Sequence, residues 1–228
     1  MIGLMLALPN TQLYRRLEKE GRILSASGGN NTHELEMNFV PTLPQETLVE
    51  GYKYVIQTIY KPKEYFRRSL SMLEKMPPSS LAGKEIKPDK LLIFLKSFLV
   101  QFFSSYGFVY LNYLVKGFTR YPHHAFNIVE LAVKGHHFFT MTREILEVSR
   151  CMERMKKSVS AYEKKVLHAA TAKKPAGKIY MYRLEMLNRL EKMFCRQRES
   201  IRRAVRSCYR ESRDYVEQLA RKNAGAIR

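Results

Sequence analysis

Apolar positions come in three patterns along the chain, each implying a different element. Ile2 to Leu8 is an unbroken apolar run of strand length, stopped by Pro9-Asn10-Thr11. Thr11 has the chemistry of a helix N-cap, and the short helix it opens carries Leu13, Tyr14 and Leu17 before Gly21 closes it. A strand apolar on both faces belongs inside a parallel sheet. No partner strand follows downstream, so the first residues read as the tail of a larger β/α unit. Residues 22–41 are irregular, with a loop by composition at Gly28-Gly29-Asn30-Asn31-Thr32 and an extended stretch from Met37 to Pro41. Thr42 and Gln45 stand at capping-box spacing with Pro44 in the first turn, which predicts a helix to about Tyr60. Lys61-Pro62 breaks it, a second helix covers Lys63 to Lys75, and Pro77-Pro78 ends the pair.

Helical periodicity governs the remainder. Residues 89–118 are the most hydrophobic, with no charge from Ser97 to Val115. Gln101, Ser104, Ser105 and Asn112 interrupt the run, so it reads as a buried helix pair broken near Gly107 rather than a membrane span, with contact to a membrane surface left open. A further helix follows Pro122 to about Lys134. Ile145, Val148, Met152, Met155, Val159, Tyr162, Val166 and Ala169 alternate spacings of three and four, the seam of a two-helix pairing. After a turn at Lys173 to Gly177, Tyr180, Leu187, Phe194, Ile201, Cys208 and Tyr215 recur every seven residues. A short loop makes two such helices antiparallel neighbours. The expected fold is therefore mainly α: a strand-and-loop remnant over 1–41, a compact helical domain over 42–140, and a long antiparallel hairpin over 141–228.

Charge sharpens this picture. The 228 residues carry 40 Lys and Arg against 21 Asp and Glu, a formal net charge of +19 that draws anions such as nucleic acid or phospholipid headgroups. Arg196, Arg202, Arg203, Arg206 and Arg210, on the last predicted helix, are the anion-binding candidates, weighed against a solvated face in which Glu199, Glu211 and Asp214 pair with them. Cys151, Cys195 and Cys208 have neither metal-ligand nor disulfide spacing and suit a reducing, cytoplasmic setting. The pairs His123-His124 and His136-His137 lack the i, i+4 spacing of a helical metal site. The loop at 28–31 lacks the Gly-Lys-Ser/Thr ending of a phosphate loop, and no nucleophile–base motif is present.

The segment Ala7-Leu8-Pro9-Asn10-Thr11-Gln12-Leu13-Tyr14, followed by Glu20-Gly21-Arg22, resembles the stretch after the last core strand of radical S-adenosylmethionine (SAM) enzymes, which usually reads Pro-Gly-Thr-Pro-Leu-Tyr. Asn10 replaces the glycine, and Asn tolerates the left-handed backbone that Gly favours. Gly29-Asn30-Asn31-Thr32, Asn38-Phe39-Val40-Pro41, Glu50-Gly51-Tyr52, Tyr60 to Arg68 and Gly135-His136-His137-Phe138 continue the resemblance toward the cobalamin-binding (B12) subgroup, over roughly residues 2–145. The resemblance implies a parent enzyme using a [4Fe–4S] cluster, SAM and cobalamin, with Leu8, Pro9 and Asn10 close to SAM. It also implies a Cys-x-x-x-Cys-x-x-Cys motif, which this sequence lacks, and a B12-binding portion that would be missing or separately encoded. The expected role is thus the helical C-terminal part of an enzyme of methyl transfer or carbon–carbon chemistry on a hydrophobic substrate, inactive alone. The alternative is a stand-alone basic helical adaptor for RNA or an anionic membrane surface.

Overall fold

The computed structural model describes residues 2–25, 35, 37–77, 88–172 and 174–225, with side chains of 88–94 and 225 excepted. The glycine-rich stretch 28–32 lies outside the described residues. The chain is mainly helical and divides into two compact units, Met1–Arg143 and Glu144–Arg228.

Residues 2–8, expected as a strand, take no regular secondary structure, and no barrel remnant is seen; among the described residues the β pairing is one antiparallel bridge between Ile23 and Phe39. Among the described residues the hydrophobic run has no backbone neighbour to complete a ladder. It packs instead by Leu4 and Ala7 onto Leu17, Met37 and Phe39, leaving Ile2, Met5 and Leu8 exposed. Helix α1 (Gln12–Lys19) is capped by Thr11, whose hydroxyl oxygen accepts the Tyr14 N–H at 3.2 Å. Its end turns at Gly21, φ +66°.

Helix α2 (Gln45–Ile59) starts without the expected capping box: Pro44 is its N-cap and makes no side-chain cap bond. The Thr42 hydroxyl is taken by the Arg22 guanidinium, which also donates to the Val40 carbonyl at 2.8 Å. Helix α3 (Pro62–Lys75) uses Pro62 in its first turn, where the missing N–H costs nothing. Arg68 reaches back to the Ile59 carbonyl and so ties the end of α2 to α3.

Helices α4 (Pro88–Phe102) and α5 (Gly107–Arg120) form the expected pair around Gly107. A Cβ at Gly107 would lie 2.0 Å from the Phe102 carbonyl oxygen, so only glycine allows so close a reversal. The inner face of α5, Tyr110, Tyr113 and Leu114, packs on α3, where Phe66 stacks on Tyr113 at 4.5 Å. The pair is not buried as expected: Phe103 is 81% and Phe108 93% exposed.

A short 3₁₀ turn (Pro122–His124) leads into α6 (Ala125–Thr171), one continuous 47-residue helix in place of the two expected. No proline interrupts it, and Gly135 is kept by packing: a Cβ there would meet the Tyr65 ring at 2.6 Å.

In the second unit the seam residues Ile145, Met155, Tyr162, Val166 and Ala169 are buried, as the spacing predicts. Helix α7 (Ala176–Cys195) runs antiparallel to α6: Lys165 lies over the Tyr182 ring, and Arg198, just past α7, meets Glu147. The expected single second arm ends at Cys195. Arg198 is extended, α8 (Glu199–Ala204) starts a new direction, and α9 (Arg206–Gly225) returns along α7, with Phe194 stacked on Tyr209 at 4.4 Å and Arg183 paired to Glu217 at 2.9 Å. The result is an up-down-up bundle, in which the Tyr162 hydroxyl donates to the Val216 carbonyl. The seven-residue reading ran across the turn at Gln197, between α7 and α8. Of its members, Ile201 and Cys208 are buried, while Tyr180 and Tyr215 are exposed beside buried Ile179 and Val216.

Candidate functional site

The Leu8–Thr11 turn is built from three local forces. The Thr11 N–H and hydroxyl both donate to the Leu8 carbonyl, at 3.3 and 2.7 Å. Asn10 takes φ +66°, the left-handed conformation expected of a residue standing where glycine is usual. Below the turn, Asn38 is 95% buried and its carboxamide takes the part of a strand neighbour. Its Oδ1 accepts the Ala7 N–H at 2.9 Å, and its Nδ2 donates to the Ala7 carbonyl at 2.8 Å and to the Ser25 carbonyl at 3.2 Å. Leu8, Pro9 and Asn10 are all exposed above this staple. Beside it, Leu4, Leu13, Met37, Phe39 and Leu43 line an apolar hollow of about 300 Å³ edged by Arg16 and Arg22. Sequence reading quoted Asn38 only as part of a motif; a polar residue in an apolar stretch, Met37-Asn38-Phe39-Val40, was the available signal.

A second polar pair holds the α4–α5 turn. The Tyr106 hydroxyl lies 2.6 Å from His136 Nδ1 on α6. Burial, with Arg143 and His137 nearby, lowers the His136 pKa, so the neutral ring that accepts the phenol proton is favoured. Burial raises the Tyr106 phenol, which stays protonated as the donor.

The structure separates the five candidate arginines. Glu199 takes both Arg202, at 2.7 Å, and Arg203, at 3.4 Å. Arg206 and Arg210 lie exposed on α9. Arg196 lines a groove of about 590 Å³ between α6 and α7 with Arg154, Arg189 and Lys192, against one carboxylate, Glu185. Arg189, Lys192 and Arg196, spaced three and four apart, are a stripe that could have been read from the sequence; Arg154 comes from the neighbouring helix and could not.

The residues present do not fit an iron–sulfur cluster. Cys151 and Cys208 are buried in the second unit, where desolvation pushes both thiols up, opposite to what a thiolate ligand needs, and Cys195 is exposed. Among the described residues no three His, Cys, Asp or Glu side chains are grouped to hold a metal. His124 faces Asn127, and His136 faces Tyr106.

Fold and site together define a helical protein whose N-terminal turn is stapled by a buried amide. Residues 11–151 match the family described as a domain of unknown function (DUF4070), and the chain belongs to that family. It is also 36% identical over 74 residues to an uncharacterized methyltransferase of Synechocystis sp., an overlap covering 32% of this chain and 14% of that protein. No solved structure matches.

Proposed function

We propose that this chain is the helical, substrate-shaping part of a B12-dependent radical SAM enzyme of methyl transfer, whose cluster and cobalamin sites belong to other polypeptide. The observation that carries the reading is the exposed Leu8–Asn10 turn on its Asn38 staple. It has the left-handed residue that the radical SAM resemblance requires, next to an apolar run, Ile2, Met5 and Leu8, presented outward without a ladder. The similarity to a methyltransferase supports the reaction class. The chain's own groups would supply walls and positioning rather than radical generation, since no thiolate triplet is available among the described residues.

The test is reconstitution. The purified chain alone, treated anaerobically with iron and sulfide, should develop no cluster absorbance and release no 5′-deoxyadenosine from SAM. Co-expressed with a Cys-x-x-x-Cys-x-x-Cys, cobalamin-binding polypeptide of the same genome, it should co-purify, and Met5→Asp should abolish the association. Cluster assembly on the chain alone, or failure to associate with any such polypeptide, overturns the proposal. The groove lined by Arg154, Arg189, Lys192 and Arg196 favours a second reading, an adaptor for RNA. RNA binding that weakens steeply with salt, in place of the association, would select it.

A further inference from the structure

Helices α4 and α5 turn a continuous apolar face outward. On α5, Phe108, Leu111, Val115 and Phe118 follow one another at spacings of three and four; on α4, Leu95, Leu99 and Phe102 do the same. The two stripes meet in a groove of about 520 Å³ between Leu95, Phe98, Leu114, Val115 and Phe118. At the turn joining the helices, Phe103 and Phe108 are 81% and 93% exposed. Two phenylalanines so exposed at the tip of an apolar hairpin are not ordinary surface scatter.

Charge selects the occupant. Between Asp89 and Glu130 the sequence contains no acidic residue, while Lys90, Lys96, Lys116 and Arg120 are all cationic. Asn112, Lys116 and Arg120 follow each other every four residues and border the α5 stripe on one side. Protein–protein interfaces are depleted of lysine relative to the rest of the surface. A rim of one sign around an apolar face matches the anionic headgroups and acyl chains of a bilayer, where lysine and arginine stems extend along the apolar layer and their charges reach the phosphates. Among the described residues no helix is long and apolar enough to cross a membrane, so the geometry is that of a hairpin lying in the interface.

We propose that the α4–α5 hairpin is a membrane-docking element that inserts Phe103, Phe108 and the flanking stripe into the surface of an anionic lipid bilayer. Gly107 makes the tip sharp, and the Tyr106–His136 bond fastens it to α6. This inference is independent of the enzymatic reading, because it needs neither SAM nor a second polypeptide.

Vesicle flotation tests it with the full chain. Wild type should float with phosphatidylcholine–phosphatidylglycerol vesicles and much less with phosphatidylcholine alone. Each exposed phenylalanine contributes about tenfold or more to partition, so F103S/F108S should weaken it by about a hundredfold while leaving the circular dichroism spectrum unchanged. K116E/R120E should weaken binding to the anionic vesicles and leave the residual binding to neutral ones in place. Three results overturn the proposal: no flotation of wild type with either vesicle; F103S/F108S floating as wild type does, which would move binding to another basic surface; or wild type that ignores vesicles but forms a dimer that the double variant dissociates, which would make a second copy the occupant.

Discussion

The Asn38 carboxamide is the most consequential small group in the N-terminal region. Asn38→Ala removes three hydrogen bonds, two to Ala7 and one to Ser25. Each neutral bond contributes about 1 kcal/mol net, and a buried N–H or carbonyl left without a partner costs about 1–3 kcal/mol. Ala7 is fully buried, so both of its backbone groups lose their partner together. The expected loss is about 3 kcal/mol if water enters and about 5 kcal/mol if the hollow stays dry. The loss is bounded by the free energy that docks residues 2–8, because the segment can peel away while the rest stays folded. Amide exchange at Ala7 should therefore accelerate by about two orders of magnitude or more, while the urea midpoint of the whole chain moves less. Asn38→Asp separates hydrogen bonding from volume. The carboxylate keeps the acceptor for the Ala7 N–H but turns lone pairs toward the Ala7 and Ser25 carbonyls, so it should be worse than alanine at neutral pH. Its folded pKa would be raised above the ordinary value of about 3.9, so its stability is recovered on acidification and lost as pH rises. If Ala7 exchanges at the wild-type rate in Asn38→Ala, and stability changes by less than about 0.5 kcal/mol, the staple argument fails.

Other consequences can be measured directly. Asn10→Gly should be neutral or slightly stabilising and Asn10→Val destabilising by about 1–2 kcal/mol in urea melts, because the position needs φ +66°; equal stabilities would contradict the turn. Gly107→Ala should cost about 3 kcal/mol or unfold the first unit, since its Cβ would collide with the Phe102 backbone rather than with a movable side chain. The folded pKa of His136 lies below its ordinary 6.5, so the unfolded chain binds the proton first: stability should be full above about 6.5 and fall as pH drops below it, an effect that thermal melts should find absent in His136→Gln. Leu190→Ala, at a fully buried position of the α7 core, should cost about 2–5 kcal/mol by chemical denaturation.

Local rules carried far in this chain. The alternation from Ile145 to Ala169 identified a buried seam, Lys61-Pro62 marked the boundary between α2 and α3, and Thr11 and Gly21 bracketed α1, because caps, proline breaks and amphipathic spacing act within a few residues. The left-handed Asn10 was legible for the same reason. Tertiary structure decided the rest. A seven-residue repeat continues equally well through a helix or across a reversal, so only packing of α9 on α7 and α6 revealed three arms in place of two. The Thr42 hydroxyl was claimed by Arg22 from a distant segment, which no local cap rule can anticipate. The strand predicted for residues 2–8 failed because a β ladder depends on a neighbouring backbone, and here the neighbour of Ala7 is one side-chain amide. The outward face of α4 and α5 had the composition of a core, and apolarity alone does not say whether the surface that covers it is protein or lipid.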